Sequence, residues 1–220
     1  KYKNFINFKD EIIEFRNQFK HKKNYNSDFN LFHYTFIGQH HGLQTPALDW
    51  STDPLVALYF ALDNYKYIED GPFPVIYVLH PNKLNEYSRV VSNEIHITEP
   101  LIVDELNDEC FTEWFEDLNN TPFNLSPLAV KSNLDLQCQR ISRQSGVFTL
   151  HEARHLKSPD WFARISDFGI ALKINPQKAV EIRKYLNSLN INKATIYGTG
   201  VDSKELSQIA EEIANKTDKI

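Results

Sequence analysis

The sequence predicts an α+β protein in which a mixed sheet carries flanking helices. Three observations lead there. The chain closes on an alternation of strand (residues 168–174), helix (to about 189), strand (194–197) and helix (206–214), the pattern that layers helices against a sheet. Short unbroken apolar runs such as 75–79 have the length of buried strands. Helix-start pairs recur, Asp53-Pro54 and Asn175-Pro176, where a side-chain oxygen can take free N–H groups and Pro loses no hydrogen bond.

Taken in order, residues 2–23 predict a helix, because Phe5, Phe8, Ile12, Ile13, Phe15 and Phe19 recur at threes and fours. Residues 20–28 are polar and predict a solvated loop. Residues 30–38 lead, as helix or extended chain, into the densest stretch, 39–64. Its first half holds two histidines, a glycine, Thr45, Pro46, Asp49, Trp50, Ser51 and Thr52. That mixture is too polar and broken for a regular core element, so a loop is expected. Leu55 to Leu62 are apolar on nearly every face, which predicts a buried helix. A polar loop on such a helix N-terminus favours an anionic group, a phosphate or carboxylate. The structural alternative is that Asp49 and Ser51 merely cap the helix.

Beyond a turn at 69–72, residues 75–79 predict a central strand that His80-Pro81 ends. Residues 82–134 are the least regular and suggest an insertion or helix–loop decoration. Residues 135–145 are polar, with Arg140, Arg143 and Gln144, and 147–150 predict a strand. A helix after Pro176 is marked by Ala179, Val180, Ile182, Leu186 and Leu189. Asp202 and Glu205 form a capping-box pattern before the last helix.

The 220 residues fit one domain spanning 1–220. A hydrophobic share of 41% with 13% aromatics is that of an ordinary globular protein, and no apolar run nears the roughly 18 residues a bilayer demands. No membrane partner is therefore expected. A net charge of −5 argues against nucleic acid as a partner beyond a local basic patch. Cys110 and Cys138 lack the spacing of a disulfide framework or thiolate metal site and suit a reducing, cytoplasmic compartment. The sequence contains no methionine, which suggests a processed piece.

His151-Glu152-Ala153-Arg154-His155 is a literal HExxH. On a helix its imidazoles would share one face and could hold zinc, with the glutamate as general base. A zinc hydrolase is thus one alternative. Arg154, the nearby Ser158-Pro159 and the want of a third ligand argue against it, so no metal site is expected.

The run GQHHGLQTPALDWSTDPLVALYFA (38–61) resembles the signature of the FRG-domain family, and weaker similarity continues through 75–79, through RISRQSGVFTL (140–150) and into the final strand and helix. Gln44 and Pro46 depart from the family's usual Pro and Arg. The arginine-glycine element that names the family is not seen, so an FRG-like domain lacking its N-terminal element is expected. Trp50-Ser51-Thr52 through Ala57-Leu58-Tyr59-Phe60-Ala61 is more distantly similar to ADP-ribosyltransferases. That resemblance implies an ADP-ribosyltransferase-like fold, NAD as cofactor, and ADP-ribosyl transfer to a protein target or NAD hydrolysis by a bacterial toxin or phage-defence effector.

It further implies a cleft in which His40 or His41 transfers protons, Asp49 orients the loop, Trp50 stacks, Ser51 contacts ribose and Arg140 pairs with phosphate, with Gln39 and Thr45 also lining the nucleotide site. The late-strand glutamate of that superfamily has no obvious counterpart. Gln144 is the nearest group, and a glutamine supplies hydrogen bonds without charge. A non-catalytic nucleotide- or protein-binding module is accordingly the other alternative.

Overall fold

The computed structural model describes residues 8–21, 28–91, 99–109, 111–112, 128–132, 134, 138–151, 167–198 and 201–217. The order is α1 (Phe8–Phe19), α2 (Leu31–His40), β1 (Ala47–Ser51), α3 (Pro54–Leu62), β2 (Val75–Leu79), α4 (Pro81–Val91), β3 (Leu101–Ile102), β4 (Leu128–Lys131), α5 (Gln139–Arg143), β5 (Gly146–Leu150), β6 (Gly169–Lys173), α6 (Ala179–Ser188), α7 (Lys193–Tyr197) and α8 (Val201–Thr217). Among the described residues, β1-β5-β4-β3 form a four-stranded sheet and β2-β6 a separate ribbon. The β1–β5 and β4–β5 pairs are antiparallel and β3–β4 is parallel. The fold is therefore α+β with a mixed sheet.

Register assigns each face of that sheet. Asp49 lies opposite Phe148, Trp50 opposite Val147, and Ala129 opposite Thr149. Since side chains alternate across a strand, Ala47, Phe148, Leu150, Leu128 and Val130 turn to one side, where they join α1, α2 and the Ile209–Ile213 turn of α8 in the main core. Leu48, Trp50, Val147, Thr149 and Ala129 turn to the other. Every residue of α2 except Gln39 is buried. Phe36 stacks on Phe148 with ring centroids 4.1 Å apart.

Local chemistry explains the element ends. Asn30 caps α2 by accepting the His33 N–H, while its own N–H donates to His33 Nδ1, a reciprocal box. His33 Nδ1 also lies 2.8 Å from Asn30 Oδ1, and its Nε2 lies 2.7 Å from Asp104 Oδ1. Asn85 of α4 is fully buried and stands in for a strand neighbour: its amide donates to the Ala129 and Glu99 carbonyls, and its oxygen accepts the Ala129 N–H at 2.6 Å. From the stretch expected to be a decoration, the described residues thus supply β3, β4 and this side-chain bridge.

Four expectations need correction. The helix read as buried all round, α3, buries only Val56, Tyr59 and Leu62, and Phe60 is 41% exposed. The strand read as central, β2, pairs only with β6 among the described strands and leaves Tyr77 and Val78 exposed. Its apolar run fits a ribbon that covers another surface as well as it fits a sheet interior. Residues 194–197 are helical, because the Asn192 side chain accepts from both Ala194 and Thr195 N–H, and this cap outweighs the strand propensity of Thr-Ile-Tyr. Finally, α8 begins at Val201, so Asp202 lies within the helix rather than before it.

Candidate functional site

Gln39-His40-His41-Gly42-Leu43 is first of all a helix terminator. The Gly42 N–H donates to the Gln39 carbonyl and the Leu43 N–H to that of Gly38, the paired bonds of a Schellman motif. Gly42 has φ +98°, a conformation glycine adopts without steric cost. Leu43 then folds back over Gly38, where a side-chain carbon would stand 3.0 Å from Leu43 Cδ2. This turn sends the two histidines in different directions.

The expected polar loop is shorter than its composition suggests, since Ala47–Ser51 form β1 at the sheet edge. Beyond it, Asp53 Oδ1 accepts the Leu55 N–H at 2.8 Å, with Pro54 in the first helical position. The anion favoured at this N-terminus is the protein's own carboxylate. The Ser51 hydroxyl donates to the Gln144 carbonyl at 2.7 Å, and the Thr52 N–H donates to that of Ser145 at 3.0 Å. Ser145 has φ +46°, so the α5–β5 turn holds a left-handed serine pinned to β1.

Between the end of α2, β1, α3, β2, α5 and α7 lies a half-open chamber of about 460 Å³. Seven of the predicted residues line it: Gln39, His40, Asp49, Trp50, Ser51, Arg140 and Gln144. Asp49 offers a half-exposed carboxylate flanked on two sides and held from one of them. Gln39 Nε2 donates to its Oδ2 at 3.3 Å, and His40 Nδ1 lies 3.2 Å from its Oδ1. Thr45 stands behind, its hydroxyl donating to Gln39 Oε1 at 2.5 Å. His40 is 5% exposed and sets its ring edge against Phe148, and neither ring nitrogen completes a hydrogen bond.

Arg140 supplies the chamber's cation. Its guanidinium carbon sits 5.1 Å from the centre of the Tyr197 ring, and its buried Nε has no hydrogen-bond partner. Tyr197 in turn approaches Asp63 Oδ2 at 3.4 Å, while the Tyr59 hydroxyl donates to Asp63 Oδ1 at 2.7 Å. Burial first, then Asp63, pushes both phenols above their ordinary pKa, so they stay neutral. Arg183 of α6 donates to the Leu62 and Tyr65 carbonyls and so closes the end of α3.

Other expected groups lie elsewhere or serve the fold. His41 is buried with Nδ1 3.4 Å from the Ser207 hydroxyl on α8, outside the chamber. Gln144 is 7% exposed, and its amide donates to the Ile196 carbonyl at 3.4 Å, tying α5 to α7. Phe60 and Tyr197 are lining residues that sequence reasoning did not single out. Asn192 ahead of Lys-Ala-Thr-Ile-Tyr, with Gly198 after it, was the signal for a capped helix that brings Tyr197 there. Burial raises the Cys138 thiol, which leaves it a poor nucleophile.

His151, the first ligand of the zinc reading, is extended: its N–H donates to the Pro46 carbonyl at 2.8 Å, prolonging the sheet. Its Nε2 meets the Thr149 hydroxyl at 2.7 Å. Glu152 and His155 lie outside the described residues. Among the described residues no group of three or more His, Cys, Asp or Glu is placed to hold a metal, and no helix is long and apolar enough to cross a membrane.

Fold and site together define an α+β protein with a largely apolar cleft that carries a few polar groups, between a sheet edge and a half-exposed apolar helix. A family model of the FRG domain matches residues 2–69, the stretch that carries α1 through α3. No curated protein and no solved structure matches the chain.

Proposed function

We propose that the chamber binds NAD, and that the protein either transfers ADP-ribose to a protein target or hydrolyses the dinucleotide, as a toxin or phage-defence effector in a bacterial cytoplasm. One observation carries this reading: a carboxylate held by Gln39 beside a buried imidazole, and a guanidinium beside aromatic rings, share one cavity of nucleotide-accepting size. The residues suit such a ligand. Arg140 offers its guanidinium to phosphate, Phe60 and Tyr197 offer rings to a planar base, and Asp49 offers a carboxylate to ribose.

The dinucleotide would supply a glycosidic bond whose cleavage leaves positive charge on the ribose. Asp49 is the negative group the chamber presents, and Gln39 keeps it in place before that charge develops. His40 can accept or release a proton beside it. A second reading, binding without turnover, is favoured by Gln144, whose amide is engaged with the Ile196 carbonyl and brings no charge.

Incubation of the full-length protein with labelled NAD, following binding and nicotinamide release, tests both. Arg140→Gln should weaken binding roughly 10- to 100-fold, the loss of a charge-assisted hydrogen bond. Asp49→Asn should retain binding and lose release, whereas His41→Ala should retain both. Binding without release in the unmodified protein would select the second reading, and no binding would end both.

A further inference from the structure

Beyond Trp50 lies a second chamber, of about 560 Å³, between the outer face of the four-stranded sheet and the β2-β6 ribbon. Its floor includes Ala129, Val147 and Thr149, and its roof Ile76, Val78 and Leu172. A half-open space of this size, lined mainly by carbon, is large enough to take a small ligand. It shares Trp50, Ser51, Ala57, Ile76 and Tyr77 with the first chamber, so the two are neighbours across one partition. The partition is fixed: the Trp50 indole N–H donates to the Thr149 hydroxyl at 2.9 Å, which meets His151 Nε2 at 2.7 Å.

At its rim stands Lys131, exposed on β4 on the same face as Ala129, with no carboxylate of the described residues in ion-pair range. We propose that this chamber is a binding site for a small apolar carboxylate, its hydrocarbon body against Ala129, Val147 and the ribbon and its charge at the Lys131 ammonium. The arrangement separates labour. Carbon walls reward any apolar body of the right size without direction, and the single cation selects an anion and sets which end leads. The inference goes beyond the nucleotide reading and does not depend on it.

The test is calorimetric titration of the full-length protein, without nucleotide, with 3-phenylpropionate, with uncharged 3-phenylpropanol, and with straight-chain carboxylates of four to ten carbons, as probe series. The propionate should bind, and the alcohol should bind about two- to fivefold more weakly, as expected of a solvent-accessible charge pair. Lys131→Gln, an exposed substitution with little bearing on folding, should abolish that difference. Each added methylene should tighten binding about three- to fourfold until the chamber is full, then cease to. Filling the space with Ala129→Phe from the floor, or Val78→Phe from the exposed ribbon should folding fail in the first, should weaken the propionate more than tenfold.

Arg140→Gln should leave the propionate titration unchanged while it weakens NAD, which separates failure of this proposal from failure of the nucleotide reading. Absence of binding by every probe would overturn the inference. So would propionate affinity that survives both filling variants, or a preference for carboxylate that persists in Lys131→Gln.

Discussion

The two short apolar helices on either side of β1, α2 and α3, differ in what covers them. In α2 only Gln39 escapes burial, because α1, the sheet face and α8 enclose the helix. In α3 the buried residues are Val56, Tyr59 and Leu62, of which Val56 and Tyr59 pack with Leu186 of α6 and Ile196 of α7, while Ala57, Phe60 and Ala61 face the first chamber. The lesson is that carbon on every side of a helix says where water is unwelcome, not what fills the space. A cleft that must exclude water asks for the same residues as a core.

The largest effect that could break this comparison is a matched truncation. Phe36→Ala in α2 removes a fully buried ring stacked on Phe148 and should cost about 3–5 kcal/mol of unfolding free energy in urea titrations. Phe60→Ala in α3 should cost less than about 1 kcal/mol, since its ring is 41% exposed, and should instead weaken ligand binding in the chamber. Equal losses in the two variants would mean that α3 is core after all.

A smaller effect tests the stop between the helices. Gly42 has φ +98° and open space where a side chain would go, so Gly42→Ala isolates the backbone penalty. It should lower stability by about 1–2 kcal/mol, the cost of left-handed geometry for an L-residue. A neutral result would show that the α2 terminator tolerates another conformation and that the directions of His40 and His41 are not set by it.

Much of this was legible before the structure. Asp53-Pro54 and Asn175-Pro176 start their elements as their chemistry predicts, and the α+β class follows from the alternation of runs. Seven of the residues named for the cleft line one chamber, since they cluster in two segments that β1–β5 pairing and the Ser51–Gln144 bond bring together. What stayed hidden was nonlocal. Nothing at 75–79 states that the strand joins a ribbon, and nothing in His40-His41 states which imidazole turns inward, because a one-residue step along a helix rotates a side chain by about 100°. The helical state of 194–197 was legible in principle from Asn192, and was obscured by the strand propensity of Thr195-Ile196-Tyr197.

The smallest predicted effect concerns pH, and it falls on α2 alone. His33, 2% exposed, stacks flat on Phe29 with centroids 4.5 Å apart and completes the reciprocal cap with Asn30. Burial pulls its pKa below the ordinary 6.5, and the Asp104 and Asp108 carboxylates only partly offset that. The folded protein therefore binds this proton less readily than the unfolded chain. Stability is unaffected by the group above about pH 6.5 and declines as pH falls below that value toward the lowered folded pKa. Urea unfolding at pH 8 and pH 5 should show this loss. His33→Gln keeps an acceptor at the third helical position, where glutamine serves a capping box, but does not titrate. It should match the parent at pH 8 and lose less on acidification. An unchanged pH dependence in that variant would place the titrating group elsewhere and leave His33 as a cap with no electrostatic consequence, whereas no site on α3 should alter this slope because its buried set, Val56, Tyr59 and Leu62, holds no imidazole or carboxylate.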